Sequence, residues 1–278
     1  MNNAEFSAAL FGGSLAAGFV GSLTGLGGGV VIIPLLTIAF GVDIRYAIGA
    51  SLVSVIATSS GAASAYVREG FSNIRIGMLL EIATAAGALL GAAIAAYVPT
   101  AALGILLGLV LIFSVFAPAN KDVAGEPLQE PNSLGFRLQL NSAYPHNGVM
   151  QEYSVKRVPL GFGLMGIAGM LSGLLGIGSG AVKVLAMDLA MGLPFKVSTT
   201  TSNFMIGVTA AASAGVYLHR GYIDPGIAMP VTLGVVAGSL TGARLLAGVQ
   251  IKTLRMFFRA VIFALGIEMI YNGWTGRV

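Results

Sequence analysis

The chain contains no cysteine and only two histidines among its 278 residues. Disulfides, iron–sulfur clusters and thiol nucleophiles are therefore excluded, and so is a histidine-rich metal site. Charge is scarce as well. Asp, Glu, Lys and Arg make up 9% of the chain, against about 25% in an ordinary soluble domain. So few charges cannot cover a surface that faces water. The net charge of +4 and pI of about 9.5 come from basic residues scattered over loops, with no basic helix face, so no nucleic-acid partner is expected. Soluble-enzyme motifs are missing: there is no H-E-x-x-H, no Lys after G-x-x-x-x-G and no G-x-S-x-G. The sequence predicts no enzyme and no cofactor.

What is abundant is apolar. Hydrophobic residues are 56% of the chain and the mean hydropathy is +0.87, which predicts an all-α polytopic membrane protein whose partner is the lipid bilayer. Apolar segments cover about 6–40, 47–67, 76–98, 101–116, 160–191, 197–218, 226–249 and 254–271. The first lacks a positive n-region and reads as a retained span, so a multi-pass protein of the cell membrane is expected. Between Pro118 and Pro159 lies a polar stretch holding Pro127, Pro131 and Pro145, read as a plain tether. Within it Tyr144–Gly148 predicts a turn. The division is 1–117, first membrane repeat; 118–158, linker; 159–278, second membrane repeat.

The halves match without a gap at an offset of 151 residues. Gly25, Gly27 and Gly29 fall on Gly176, Gly178 and Gly180; Ser51 and Thr58 on Ser202 and Thr209; Tyr66 on Tyr217; Gly87 and Gly91 on Gly238 and Gly242. The first segment of each half is too long for one span and is interrupted by glycines. A helix broken there enters, turns and leaves on the same face. Each repeat then has a re-entrant segment plus three transmembrane helices, and the two repeats are inverted. Lys and Arg agree: Arg68, Arg75, Lys121, Arg137, Lys156, Arg157, Lys196, Lys252, Arg255 and Arg259 share one side, and Arg45, Arg220 and Arg277 the other. The positive-inside rule then puts both termini outside.

The paired glycine breaks are the first site candidates. Gly27, Gly28 and Gly29 precede one half-helix, and Gly178, Ser179 and Gly180 open the other. Their free N–H groups carry partial positive charge and suit an anion near the midplane. The alternative is that the glycines only allow tight helix packing. Gly176–Ala181 also fits G-x-G-x-x-A, but without a preceding strand it does not read as a nucleotide site. Lys183 follows the second break, and an ammonium there is unfavourable unless an anion is near. Snorkelling, or pairing with Asp188, is the competing reading. Lys183→Ala is expected to cut transport while leaving folded protein. Ser51, Thr58, Thr201, Ser202 and Asn203 add hydroxyls and an amide that donate to oxyanions, or else bond between helices. Glu81 and Glu268 lie in apolar segments as proton carriers or as interfacial or paired carboxylates. Gly87/Gly91 and Gly238/Gly242 read as packing, and His219 and Arg220 as solvated.

These motifs resemble the sulfite exporter TauE/SafE family of membrane permeases. The resemblance rests on Gly25-Leu26-Gly27-Gly28-Gly29 with Pro34, then Ala50-Ser51, Tyr66 and Gly70, matched by Gly176-Ile177-Gly178-Ser179-Gly180, then Thr201-Ser202-Asn203, Tyr217 and Gly221. Ser179 stands in for the middle glycine, and Leu185 for Pro34. The resemblance implies transport of sulfite, sulfonates or related sulfur-containing anions. A secondary transporter working by alternating access, with H+ or Na+ as a coupling ion, is the leading expectation. A passive anion channel of the same architecture is the alternative.

Overall fold

The computed structural model describes residues 2–24, 29–68, 71–116, 134–146, 149–245 and 251–277; side chains at 3, 20–24, 61–68, 181, 243–245 and 251–258 are outside the description. Each half gives the same order of elements. In the first, α1 (Asn3–Thr24) is followed by α2 (Gly29–Pro34), which runs into a wider π turn (Leu35–Ala39). Three long helices follow: α3 (Ile44–Arg68), α4 (Ile74–Ala95) and α5 (Thr100–Phe116). In the second, α7 (Val158–Leu175), α8 (Gly180–Leu185) with its π turn (Ala186–Ala190), α9 (Phe195–His219), α10 (Pro225–Leu245) and α11 (Ile251–Thr275) repeat the plan. The π turn recurs where Leu185 replaces Pro34, so proline is not its cause.

The break after α7 has a local origin. Gly176 (φ +66°) and Gly178 (φ +71°) take the left-handed conformation that side chains resist, and the Gly176 amide still donates to the Ser172 carbonyl at 2.8 Å. The chain then returns along α7. The Lys156 amide donates to the Met191 carbonyl at 2.9 Å, and the Met191 side chain lies against Gly161, so the arm ends where it began. The first half does likewise, with Phe40 packed on Phe6 at 6.1 Å between ring centroids.

Helix pairing exchanges between the halves. α1 packs on α10 as α7 packs on α4, and α3 faces α9 as α5 faces α11. α1 and α10 run in the same direction, since Gly234 backs onto the Phe11 carbonyl and Gly238 onto that of Leu15. α4 and α7 also run together: Gly87 meets the Gly166 carbonyl and Gly91 that of Met170. These glycines therefore pack, as the G-x-x-x-G spacing predicts. α5 and α11 run oppositely, with Phe116 on Phe263 at 5.9 Å and Gly273 against the Ala101 carbonyl.

Polarity is distributed inside out. Ser51, Thr84, Lys183, Thr201, Thr209 and Ser213 are fully buried, while Met78, Ile82, Leu90, Phe113, Met229 and Leu233 are each more than half exposed. Only a lipid solvent favours that arrangement. By length and composition, Ile74–Ala95, Val158–Leu175 and Pro225–Gly242 are long and apolar enough to cross a membrane.

The linker is more than a tether. Residues 134–158 hold a helical turn, α6 (Leu134–Arg137), and an antiparallel hairpin of β1 (Ser142–His146) and β2 (Val149–Tyr153). The strands pair up to His146 opposite Val149; Asn147 and Gly148, the end of the expected turn, lie outside the described residues. Leu140, Tyr144, Tyr153 and Val155 are buried against Ile76, Leu80 and Val197, which a purely polar tether would not do.

Asn73 fastens this cap. Its Oδ1 accepts from the Ile76 amide at 3.1 Å and so caps α4. Its Nδ2 donates to the Leu140 carbonyl and the Tyr153 hydroxyl, both at 2.9 Å, and its amide donates to Thr201 Oγ1 at 3.0 Å. Burial pushes the Tyr153 phenol up from its ordinary pKa, which keeps it neutral in this network. Asn73→Ala removes a cap worth about 1 kcal/mol and orphans two buried groups at roughly 1 kcal/mol or more each. Thermal unfolding in detergent should show a loss of ~3 kcal/mol; a change within ~0.5 kcal/mol would mean the cap is not fastened there.

Candidate functional site

The start of α2 meets the second break inside the bundle. Ser51 Oγ, on α3, donates to the Gly176 carbonyl of the other half at 2.9 Å. A Cβ on Gly29 would lie 2.6 Å from Ser51 Oγ and 3.2 Å from the Gly176 carbonyl, so the start of α2 is held against the second break. Ser202 makes a local contact: its Oγ donates to the Gly180 carbonyl at 3.3 Å. Gly178 packs under Ile206 and Val55, and Gly180 under Ile206. Gly27 and Gly28 lie outside the described residues.

Ser179 is the unusual member. It holds φ +45°, a conformation glycine occupies more easily, and its buried Oγ has no hydrogen-bond partner among the described residues. It lines a cavity of about 20 Å³, shared with Val30, Gly180, Val110, Leu111 and Ser114. That is room for roughly one water. An oxyanion of four or more heavy atoms does not fit it.

Lys183 is fully buried, which excludes snorkelling. Its ammonium donates to Thr209 Oγ1 at 2.5 Å, and Thr209 in turn donates to Glu81 Oε1 at 2.7 Å. The Thr84 hydroxyl has two acceptors for its hydrogen, the Leu80 carbonyl at 2.8 Å and the other carboxylate oxygen, Oε2, at 3.2 Å. A cation on α8, a hydroxyl on α9 and a carboxylate on α4 therefore form one buried chain across the two halves. Glu81 is thus paired inside the bundle, whereas Glu268 is exposed on α11.

The remaining candidates sit elsewhere. Thr58 Oγ1 donates back to the Ser54 carbonyl at 3.0 Å. Thr201 Oγ1 holds the Asn73 amide, and Asn203 is half-buried on α9. Arg220 is not simply solvated. It donates to the Ala93 carbonyl at 3.1 Å while Arg45 donates to that of Val98 at 3.0 Å, so both guanidiniums serve the C-terminal end of α4. Sequence reasoning underweighted Glu81 and Thr209. The available signal was a carboxylate in one apolar segment and a lone cation in another, both of which require a partner.

A helical bundle with broken helices meeting in its core, polar groups inside and apolar groups outside, has the plan of a membrane transporter. The chain belongs to the sulfite exporter TauE/SafE family, whose sequence model matches residues 10–269. Members of this kind are transporters, not enzymes. Among its relatives is the probable membrane transporter protein YunE of Bacillus subtilis, 29% identical, with 93% of this chain and 95% of the relative covered. The probable membrane transporter protein YdhB of the same organism is 26% identical over 82% and 85% of the two chains. A Sinorhizobium protein, probable membrane transporter protein ORF9, is 27% identical over 94% and 91%. No solved structure matches.

Proposed function

We propose that the protein is a multi-pass secondary transporter of the cell membrane, moving sulfite, sulfonates or related small sulfur-containing anions by alternating access between two inverted repeats. The observation that carries this reading is the contact of the start of α2 with the second break, Gly29 against Ser51 Oγ and the Gly176 carbonyl. The anion would bind when these ends part, on the freed N–H groups of Gly27, Gly28, Gly29, Gly178, Ser179 and Gly180 and on the hydroxyls of Ser51, Ser179 and Ser202. Lys183 would supply the fixed positive charge. Thr58, Thr201 and Asn203 lie on the same two helices and would line the path. The family's description as sulfite exporters supports the sulfur-anion class.

Helix direction supports the inversion. α3 starts beside the start of α1, because the return arm ends there. The short connection makes α4 run against α3, and α7 runs with α4. α7 is therefore opposed to α1. Arg45 and Arg220 gather on the side of the termini, and Arg75 on the side of the linker, where its Nη1 donates to the Gln139 carbonyl. The positive-inside rule puts the linker in the cytoplasm.

A thermal-shift comparison of sulfite, sulfoacetate, sulfate and thiosulfate with chloride tests the reading. A substrate at about a hundred times its Kd stabilises the folded state by about 2.7 kcal/mol. At least one sulfur anion should shift unfolding upward and show saturable counterflow in proteoliposomes. Equal shifts for chloride and all four, with conductance and no counterflow, would replace the transporter with a passive channel.

A further inference from the structure

We propose that Glu81 is the proton site of this transporter and that Thr209 links its protonation to the availability of Lys183 for the anion. The inference rests on the anion reading above and deepens it by naming the coupling ion. Its basis is the single hydrogen of the Thr209 hydroxyl. Two acceptors lie within its reach, Glu81 Oε1 at 2.7 Å and the Met205 carbonyl at 3.0 Å. With Glu81 ionised, the hydroxyl donates to the carboxylate and accepts from Lys183, and the buried charges cancel.

A proton arriving from water adds to a Glu81 oxygen and forms an O–H bond. That O–H then donates to Thr209, whose own hydrogen swings to the Met205 carbonyl. Lys183 keeps its three hydrogens and its charge but loses its counterion. A buried cation without one is costly, and a single negative charge on the substrate restores neutrality. For a singly charged anion the site sums to zero before and after, so one proton travels with it. Release of the anion reverses each step and returns the proton to water.

Other charges near Glu81 are few. On its own helix, Arg75 lies toward the linker. Beyond α8's Lys183, the adjoining π turn carries the buried Asp188. On α9, Lys196 sits over the Phe71 ring at 3.6 Å. α7 carries no titratable residue between Val158 and Leu175, though Arg157 precedes it.

The repeat supplies an internal control. At the offset of 151, Glu81 falls on Thr232 and Lys183 on Ile32. The mirrored seam between α10, α3 and α2 is thus built without either charge. The mirrored seam packs without the pair, so the pair is not imposed by the shared fold.

The test uses proteoliposomes of wild type, Glu81→Gln and Thr209→Val, with a trapped pH dye and one of three singly charged probes, methanesulfonate, ethanesulfonate or hydrogensulfite. In wild type, one pH unit, acid outside, should drive up to about tenfold accumulation of a singly charged probe, with acidification of the lumen. Glu81→Gln should lose the accumulation, and its anion exchange should lose its dependence on pH. Thr209→Val should weaken both. Gel filtration checks that each variant is folded. Infrared spectra supply a readout independent of flux: a protonated-carboxyl band should appear on acidification of wild type and be missing from Glu81→Gln. Accumulation by Glu81→Gln equal to wild type, or no such band in wild type, would overturn the coupling alone. Absence of saturable counterflow of all three probes by wild type would overturn the anion reading and this inference with it.

Discussion

Replacing Lys183 by Met is expected to abolish transport and also to destabilise the protein by about 3–5 kcal/mol, the loss seen when one partner of a buried ion pair is removed. The sequence alone suggested that Lys183→Ala would spare folding. The structure changes that expectation, because Glu81 stands just beyond Thr209 and would be stranded as a buried charge. Adding Glu81→Gln to Lys183→Met should restore most of the stability, since a neutral pair needs no counterion. It should not restore transport. Thermal unfolding of the two single variants and the double variant closes the cycle. If the single and double variants unfold together, the two charges are not coupled through Thr209.

The second large effect lies at the α4–α7 crossing. Gly91→Ala puts a Cβ onto the Met170 carbonyl and 3.0 Å from the Leu174 amide. Both are backbone and cannot rotate aside, so the helices must separate along their length. A loss at the upper end of the ~1–3 kcal/mol overpacking range is expected, with poor recovery of folded protein from membranes. Gly163→Ala is the matched control. It lies on α7, exposed, and its Cβ would meet nothing within 4 Å. There the same chemical change should be neutral or gain up to ~1 kcal/mol from helix propensity. Equal behaviour of the two variants, measured by melting in detergent, would remove close backbone approach as the cause.

Much of the helical framework is legible in the sequence because it is written twice. The apolar segments fall on the long helices, and the offset aligns Gly87 and Gly91 with Gly238 and Gly242. Two features escape this kind of reading. The linker hairpin depends on a few apolar residues, Leu140, Tyr144, Tyr153 and Val155, scattered through polar sequence, where composition masks alternation. The Lys183–Thr209–Glu81 chain escapes for a different reason. Matching halves draws attention to what they share, so Thr209 reads as the counterpart of Thr58. Yet Thr58 only bonds back to its own helix, while Thr209 joins charges that have no counterpart. Proximity between helices far apart in the chain supplies what periodicity cannot.

The single charged seam also bears on the resting state. A machine whose two halves were equivalent would populate its outward- and inward-facing forms evenly. Here, opening one seam would pull opposite charges apart in a medium of low dielectric constant, while its mirror image has Thr232 and Ile32 in place of Glu81 and Lys183. A carrier working as proposed would therefore lean toward one face of the membrane when empty. Protonation, by erasing that attraction, would let it tip to the other.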